Sequence, residues 1–273
     1  MENRTDLAVE SYESADKTVI DGVKIEEHNS VTTVTVINEK GAQAIGKPVG
    51  KYITCDVDSF VNNTDIFDGR LDRLAKILKS LLPENMDSVL VAGIGNLDIT
   101  ADALGPITNN YVLSTRHLKN TEIFKDFDFF CVSSISTGVL GDTGIESAEI
   151  VKGIADIIKP SCVIAVDALA ASSAERLGTT VQLSNSGIAP GSGVGNHRFE
   201  LSQATLGIPV VSVGIPTVVS TSVIKNDSSD EVMFVTPREI DRVIDCGAKL
   251  IGMSINTCLQ RNASPQEIFS LLS

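Results

Sequence analysis

Apolar runs at 88–92, 129–132, 162–166, 179–183 and 209–213 recur down the chain, and the intervals between them carry apolar residues at helical spacing. This alternation constrains the fold more than any other feature, because a strand that returns through a helix pairs in parallel with its neighbour. The run at 88–92 reads as a central strand buried on both faces. Helix starts are marked as well. Thr143 and Glu146 stand at capping-box spacing ahead of Ile150, Val151, Ile154, Ile157 and Ile158. Thr236 and Glu239 repeat the box with Pro237 at the first helical position, and Ser264 with Glu267 opens a short C-terminal helix. The expectation is an α/β fold: a mainly parallel twisted sheet covered by helices on both faces.

The first part of the chain has a different texture. The stretches 18–20, 23–25, 31–36 and 50–55 are rich in β-branched residues, with Asp21-Gly22 as turn material, and predict an N-terminal antiparallel β region. From 69 to 82, leucine, isoleucine and alanine recur at helical spacing.

Charge narrows the partners. The net charge of −13, with no basic cluster, argues against direct contact with a nucleic-acid backbone, which needs lysine and arginine to displace counterions. No apolar stretch spans a bilayer, and the first residues lack the pattern of a signal peptide, so no membrane partner and a cytoplasmic location are the default expectations. The five cysteines are scattered and form no C-x-x-C pair, which suggests neither a disulfide framework nor a zinc ribbon.

Two apolar runs deliver aspartates. Asp102 follows the strand at 88–92 and Asp167 ends the run at 162–166. Loops beyond the carboxyl ends of strands form the ligand crevice of an open α/β sheet. Two carboxylates arriving there suit acid/base chemistry, since close like charges push one pKa up. The competing reading makes each a helix cap, Asp102 ahead of Ala103 and Asp167 ahead of Ala168. Asp98 and His117 are weaker candidates, His117 as a third ligand of a metal held by Asp102 and Asp167. The loop at 184–196 holds Gly191, Ser192, Gly193, Gly195 and Asn196, whose glycines allow a ligand to approach the backbone. It has neither the G-x-G-x-x-G spacing nor a Gly-Lys-Ser/Thr ending, so an extended peptide fits it as well as a phosphate.

Several blocks in order resemble the germination proteases of spore-forming bacteria. They begin at Arg4-Thr5-Asp6-Leu7-Ala8-Val9-Glu10 and run through Asp102-Ala103-Leu104-Gly105-Pro106, Thr115-Arg116-His117-Leu118, Thr143-Gly144-Ile145-Glu146 and Asp167-Ala168-Leu169-Ala170-Ala171. Gly191-Ser192-Gly193-Val194-Gly195-Asn196, Gly214-Ile215-Pro216-Thr217 and Val235-Thr236-Pro237-Arg238-Glu239 complete them. The resemblance implies a fold similar to the hydrogenase-maturation peptidases and an endopeptidase with Asp102 and Asp167 as its catalytic groups. It implies a self-processing zymogen and tetramer of the spore core, acting on small acid-soluble spore proteins after an acidic residue and before an apolar residue followed by alanine.

Asp6-Leu7-Ala8 fits that cleavage rule, which gives residues 1–6 as a propeptide and 7–273 as one α/β peptidase domain. No cofactor is required by the sequence, and a metal is left open. The alternatives are a metallopeptidase using the same aspartates as ligands and a non-catalytic relative that binds spore proteins. Longer members carry an insertion where this chain has only residues 220–234.

Overall fold

The computed structural model describes residues 5–15, 19–60, 65–195, 198–220 and 233–272. Its strands are β1 (Val23–His28), β2 (Val31–Val36), β3 (Gly50–Asp56), β4 (Ser88–Gly93), β5 (Cys131–Ser136), β6 (Cys162–Ala171), β7 (Thr180–Ser184), β8 (Val210–Ser220) and β9 (Phe234–Val235). They form one sheet in the order β1-β2-β3-β7-β8-β6-β4-β5, with β9 on the far end of β8. Pairing is parallel from β5 through β4 and β6 to β8, then antiparallel from β8 through β7, β3 and β2 to β1. The predicted α/β sheet and the antiparallel N-terminal region are thus one continuous sheet.

Side chains alternate across it, and the burial follows. Val89, Val91, Ile164, Val166, Val211 and Val213 share one core with the helices Arg70–Leu81 and Ile240–Leu259. Leu90, Ala92, Val163 and Ala165 face the other way, onto Ala148 and Val151 of the helix Ser147–Ile158. On that same face a third cluster gathers Leu7, Ala8 and Val9 against Tyr52, Leu169 and Ala171. Full burial of a side chain such as Leu7 contributes about 2 kcal/mol.

Asp167 falls between Ala165 of the second cluster and Leu169 of the third, by strand alternation on the same face. The seam between the two clusters is where the crevice opens. It is also a topological switch point. The chain leaves β4 for β5 on one side and then returns to β6 on the other, the arrangement at which open α/β sheets bind ligands.

Some local expectations shift. The strand predicted at 18–20 does not form: Val19 is exposed and Ile20 packs into the core just ahead of the Gly22 turn, while Thr18 lies outside the described residues. The strand expected at 129–132 starts at Cys131. Thr143 ends a one-turn helix, and the capping box belongs to Glu146 and Glu149 instead. The helix predicted from Pro237 begins at Ile240, whereas Ser264 and Glu267 bond each other as expected. The polar stretch 225–231 lies outside the described residues. Among the described residues no helix is long and apolar enough to cross a membrane.

Candidate active site

Asp102 closes the loop that follows β4. It ends the single 3-10 turn Thr100–Asp102, and its Oδ2 accepts the Asn96 N–H at 2.9 Å. Gly95 makes this possible. Its φ is +126°, and a Cβ there would overlap the Asp102 carbonyl. The cap reading is therefore wrong for Asp102, since the following helix Leu104–Thr108 has Ala103 at its N-cap with no side-chain bond. It is wrong for Asp167 too, because 168–171 continue β6 as strand. Asp167 is 3% exposed and its Oδ1 accepts the Ala168 N–H at 2.9 Å.

The two environments differ. Burial raises the pKa of Asp102, against the opposing effects of the Asn96 N–H and Arg198; Asp142 adds to the rise. Asp167 is pushed well above the ordinary carboxylate range by burial first, then by the charges of Asp102 and Asp6. Asp102, Asp167, Asp6 and Arg198 line one crevice of about 320 Å³. The Thr217 hydroxyl also lines it, buried and with no hydrogen-bond partner among the described residues.

Asp6 of the N-terminal segment reaches this crevice. The Asp6 N–H donates to the Ala170 carbonyl at 2.9 Å. Its carboxylate accepts the Ala170 N–H at 2.8 Å and the Ser192 hydroxyl at 2.6 Å. Gly193 is obligatory beside it, because a Cβ there would overlap Asp6 Oδ2 and crowd the Ala170 Cβ at 2.7 Å. Lys47 Nζ donates to the Thr5 carbonyl at 2.8 Å. Leu7 is wholly buried in the third cluster.

Of the other predicted residues, Gly191 lines the crevice at φ +71°, while Gly195 turns the chain at φ +81° beyond the lining. Asn196 and His197 lie outside the described residues. Asp98 is exposed, and its N–H bonds the Asn96 side chain. His117 is not brought to the pair. It sits exposed in the turn Arg116–Leu118, whose Arg116 shares a pocket with Ser88 and Cys131 at the amino ends of β4 and β5. The aspartates lie at the opposite, carboxyl ends.

Among the described residues no three His, Cys, Asp or Glu side chains converge as ligands, and the Arg198 cation acts on both aspartates. The cysteines are all buried, with burial pushing the Cys162 thiol up to about 12 and that of Cys258 up to about 11. A thiolate nucleophile is accordingly disfavoured.

Comparison with known proteins settles the family. The family model for germination protease matches residues 2–234. The chain belongs to the germination protease family. The Germination protease of Clostridium perfringens (strain ATCC 13124) is 37% identical over 325 aligned positions, covering 99% of both chains. That of Caldanaerobacter subterraneus subsp. tengcongensis is 39% identical over 98% of each, and that of a Geobacillus species (strain WCH70) is 42% identical over 87% of this chain and 69% of its own. Membership makes this protein an endopeptidase, a hydrolase of peptide bonds. Among solved structures, the nickel–iron hydrogenase maturation protease HycI of Thermococcus kodakarensis matches 66% of this chain at 18% identity and a TM-score of 0.40, too distant to carry an argument.

Sequence spacing gives no sign of Lys47 or Gln182, which, like Arg198, reach the N-terminal segment and crevice from separate elements. Arg198 alone had a cue, following closely on the glycine loop at 191–195.

Proposed function

We propose that this germination protease is a self-processing endopeptidase in which Asp102 and Asp167 hydrolyse peptide bonds without a metal. One observation carries the reading: Asp6, the residue before the expected cleavage point, lies in the same crevice as both aspartates.

The division of labour follows from the environments. Asp102 is the less buried and the one whose pKa rises less, so it is the carboxylate that takes a proton from water as the water attacks the carbonyl carbon. Asp167 is the protonated partner and gives up its proton as the bond breaks. The two titrate as a pair, and their apparent values belong to both. The Ser192 hydroxyl, the Ala170 N–H and the space left by Gly193 receive the acidic side chain before the scissile bond.

In this reading residues 1–6 are the propeptide, the processed protein forms a homotetramer in the spore core, and its substrates are small acid-soluble spore proteins cut during germination. The test is digestion of such a protein by acid-incubated enzyme, read by mass mapping beside Asp167→Asn. Single cuts after Glu or Asp ahead of an apolar-Ala pair, absent from the variant, are expected. Equal cutting by both removes Asp167 from the mechanism.

A further inference from the structure

We infer that Gln182 is a catalytic residue for cleavage of the chain's own Asp6–Leu7 bond, its side-chain amide donating to the carbonyl oxygen on which negative charge develops. This rests on the self-processing reading above. The Gln182 Nε2–H donates to the Asp6 carbonyl oxygen at 3.0 Å, and its Oε1 accepts the Ala8 N–H at 2.8 Å. The two bonds bracket the Asp6–Leu7 peptide. They also fix the amide orientation, because a flip would set oxygen against oxygen and N–H against N–H.

Placement across the sheet puts Gln182 where such a donor is needed. Gln182 of β7 pairs with Gly214 of β8, and Gly214 pairs with Asp167 of β6. The three form one row. Val181 and Leu183 point into the first core, so Gln182 points to the face that carries Asp167. Strands stand about 4.8 Å apart, so the row sets the two side chains on backbone positions about 10 Å apart, with no side chain on the glycine between them. Asp6 lies over this row, touching Gln182 through its carbonyl and β6 through its N–H and carboxylate. Gln182 is 8% exposed, and a buried amide needs partners; the bonds seen for it all go to the segment that would be cut.

The chemistry balances with Gln182 in this role. The water oxygen bonds to the Asp6 carbonyl carbon while its proton passes to Asp102. The carbonyl π pair moves onto oxygen, where the Gln182 N–H meets the new charge. The pair then returns, the carbon–nitrogen bond to Leu7 breaks, and the leaving nitrogen takes the Asp167 proton. With the carbonyl oxygen served by Gln182, the Asp167 proton is left for the amine.

The experiment follows loss of residues 1–6 by intact mass in full-length protein, with amide hydrogen exchange at Ala8 as a separate measure of docking. Gln182→Glu keeps an acceptor for the Ala8 N–H and loses the donor. It should process about 100-fold more slowly than wild type while Ala8 stays protected. Gln182→Leu should be at least as slow. Wild-type rates in both variants overturn the inference, and so does slow processing of Gln182→Glu accompanied by loss of Ala8 protection, which would make Gln182 a docking residue only. Wild-type protein that never loses residues 1–6 overturns the self-processing reading and this inference with it.

Discussion

Asp6 and Asp167 are fastened to the same strand two positions apart, the Asp6 carboxylate by the Ala170 N–H at 2.8 Å and the Asp167 carboxylate by the Ala168 N–H at 2.9 Å. The residue before the proposed cut and a proposed catalytic group are thus positioned by consecutive stretches of one backbone. Ser192→Ala removes the second donor to Asp6. Self-processing should slow about tenfold, as for loss of one hydrogen bond to a charged group. Intact mass against time checks this; an unchanged rate would take Ser192 out of recognition.

Asp167→Asn should stabilise the protein. The native pKa of Asp167 lies above its ordinary value of 3.8, so its contribution is full when both states are protonated and is lost as pH rises through the native value. Replacement by a neutral amide should raise Tm by roughly 3 °C near neutral pH. The gain should vanish below pH 3.8, where the carboxyl is protonated anyway. Thermal melts of both proteins across pH measure it.

Arg198 lowers the pKa of both aspartates, while Asp142 raises that of Asp102 and Asp6 that of Asp167. Arg198→Ala should therefore move the acid limb of the kcat/KM profile to higher pH, because the base protonates sooner. Arg198→Lys should restore part of the shift. A profile that drops in height without moving would show that Arg198 acts only by shape.

Gly95→Ala should damage Asp102 without touching it chemically. The substitution meets both a positive φ and the Asp102 carbonyl, at a cost of about 2 kcal/mol or more. Processing should fall well beyond what the loss of stability explains at a temperature where the variant remains folded. Melts and processing rates on one preparation separate the two effects.

Glu10 ties the short helix Ala8–Glu13 to the end of β6. It is 2% exposed, accepts the Ser172 and Ser173 N–H groups at 2.6 and 3.0 Å and the Thr5 hydroxyl, and pairs with Arg176 at 3.3 Å. Glu10→Ala strands two amides and should cost about 3 kcal/mol, or roughly 8 °C in Tm. Limited proteolysis should then cut the chain near its N-terminus.

The α/β class, nearly all of the strands and the arrival of Asp102 and Asp167 at one crevice were legible in the amino-acid order alone. Apolar runs and capping boxes are local signals, and strand-end aspartates recur where α/β sheets hold ligands. The glycine loop was legible as a feature but not in its use: it meets an acidic side chain, whereas spacing alone left peptide and phosphate open.

The tertiary structure decided the rest. It kept 168–171 in strand, so Asp167 faces a seam between two cores instead of capping a helix, and it put His117 at the wrong end of the sheet. It also placed Gln182, an unremarkable residue in a Thr-Val-Gln-Leu run, beside a peptide bond 176 residues earlier in the chain. Sequence determines such things only through pairing: β7 meets β8 and β8 meets β6 across loops of very different length, and long-range register leaves no local trace.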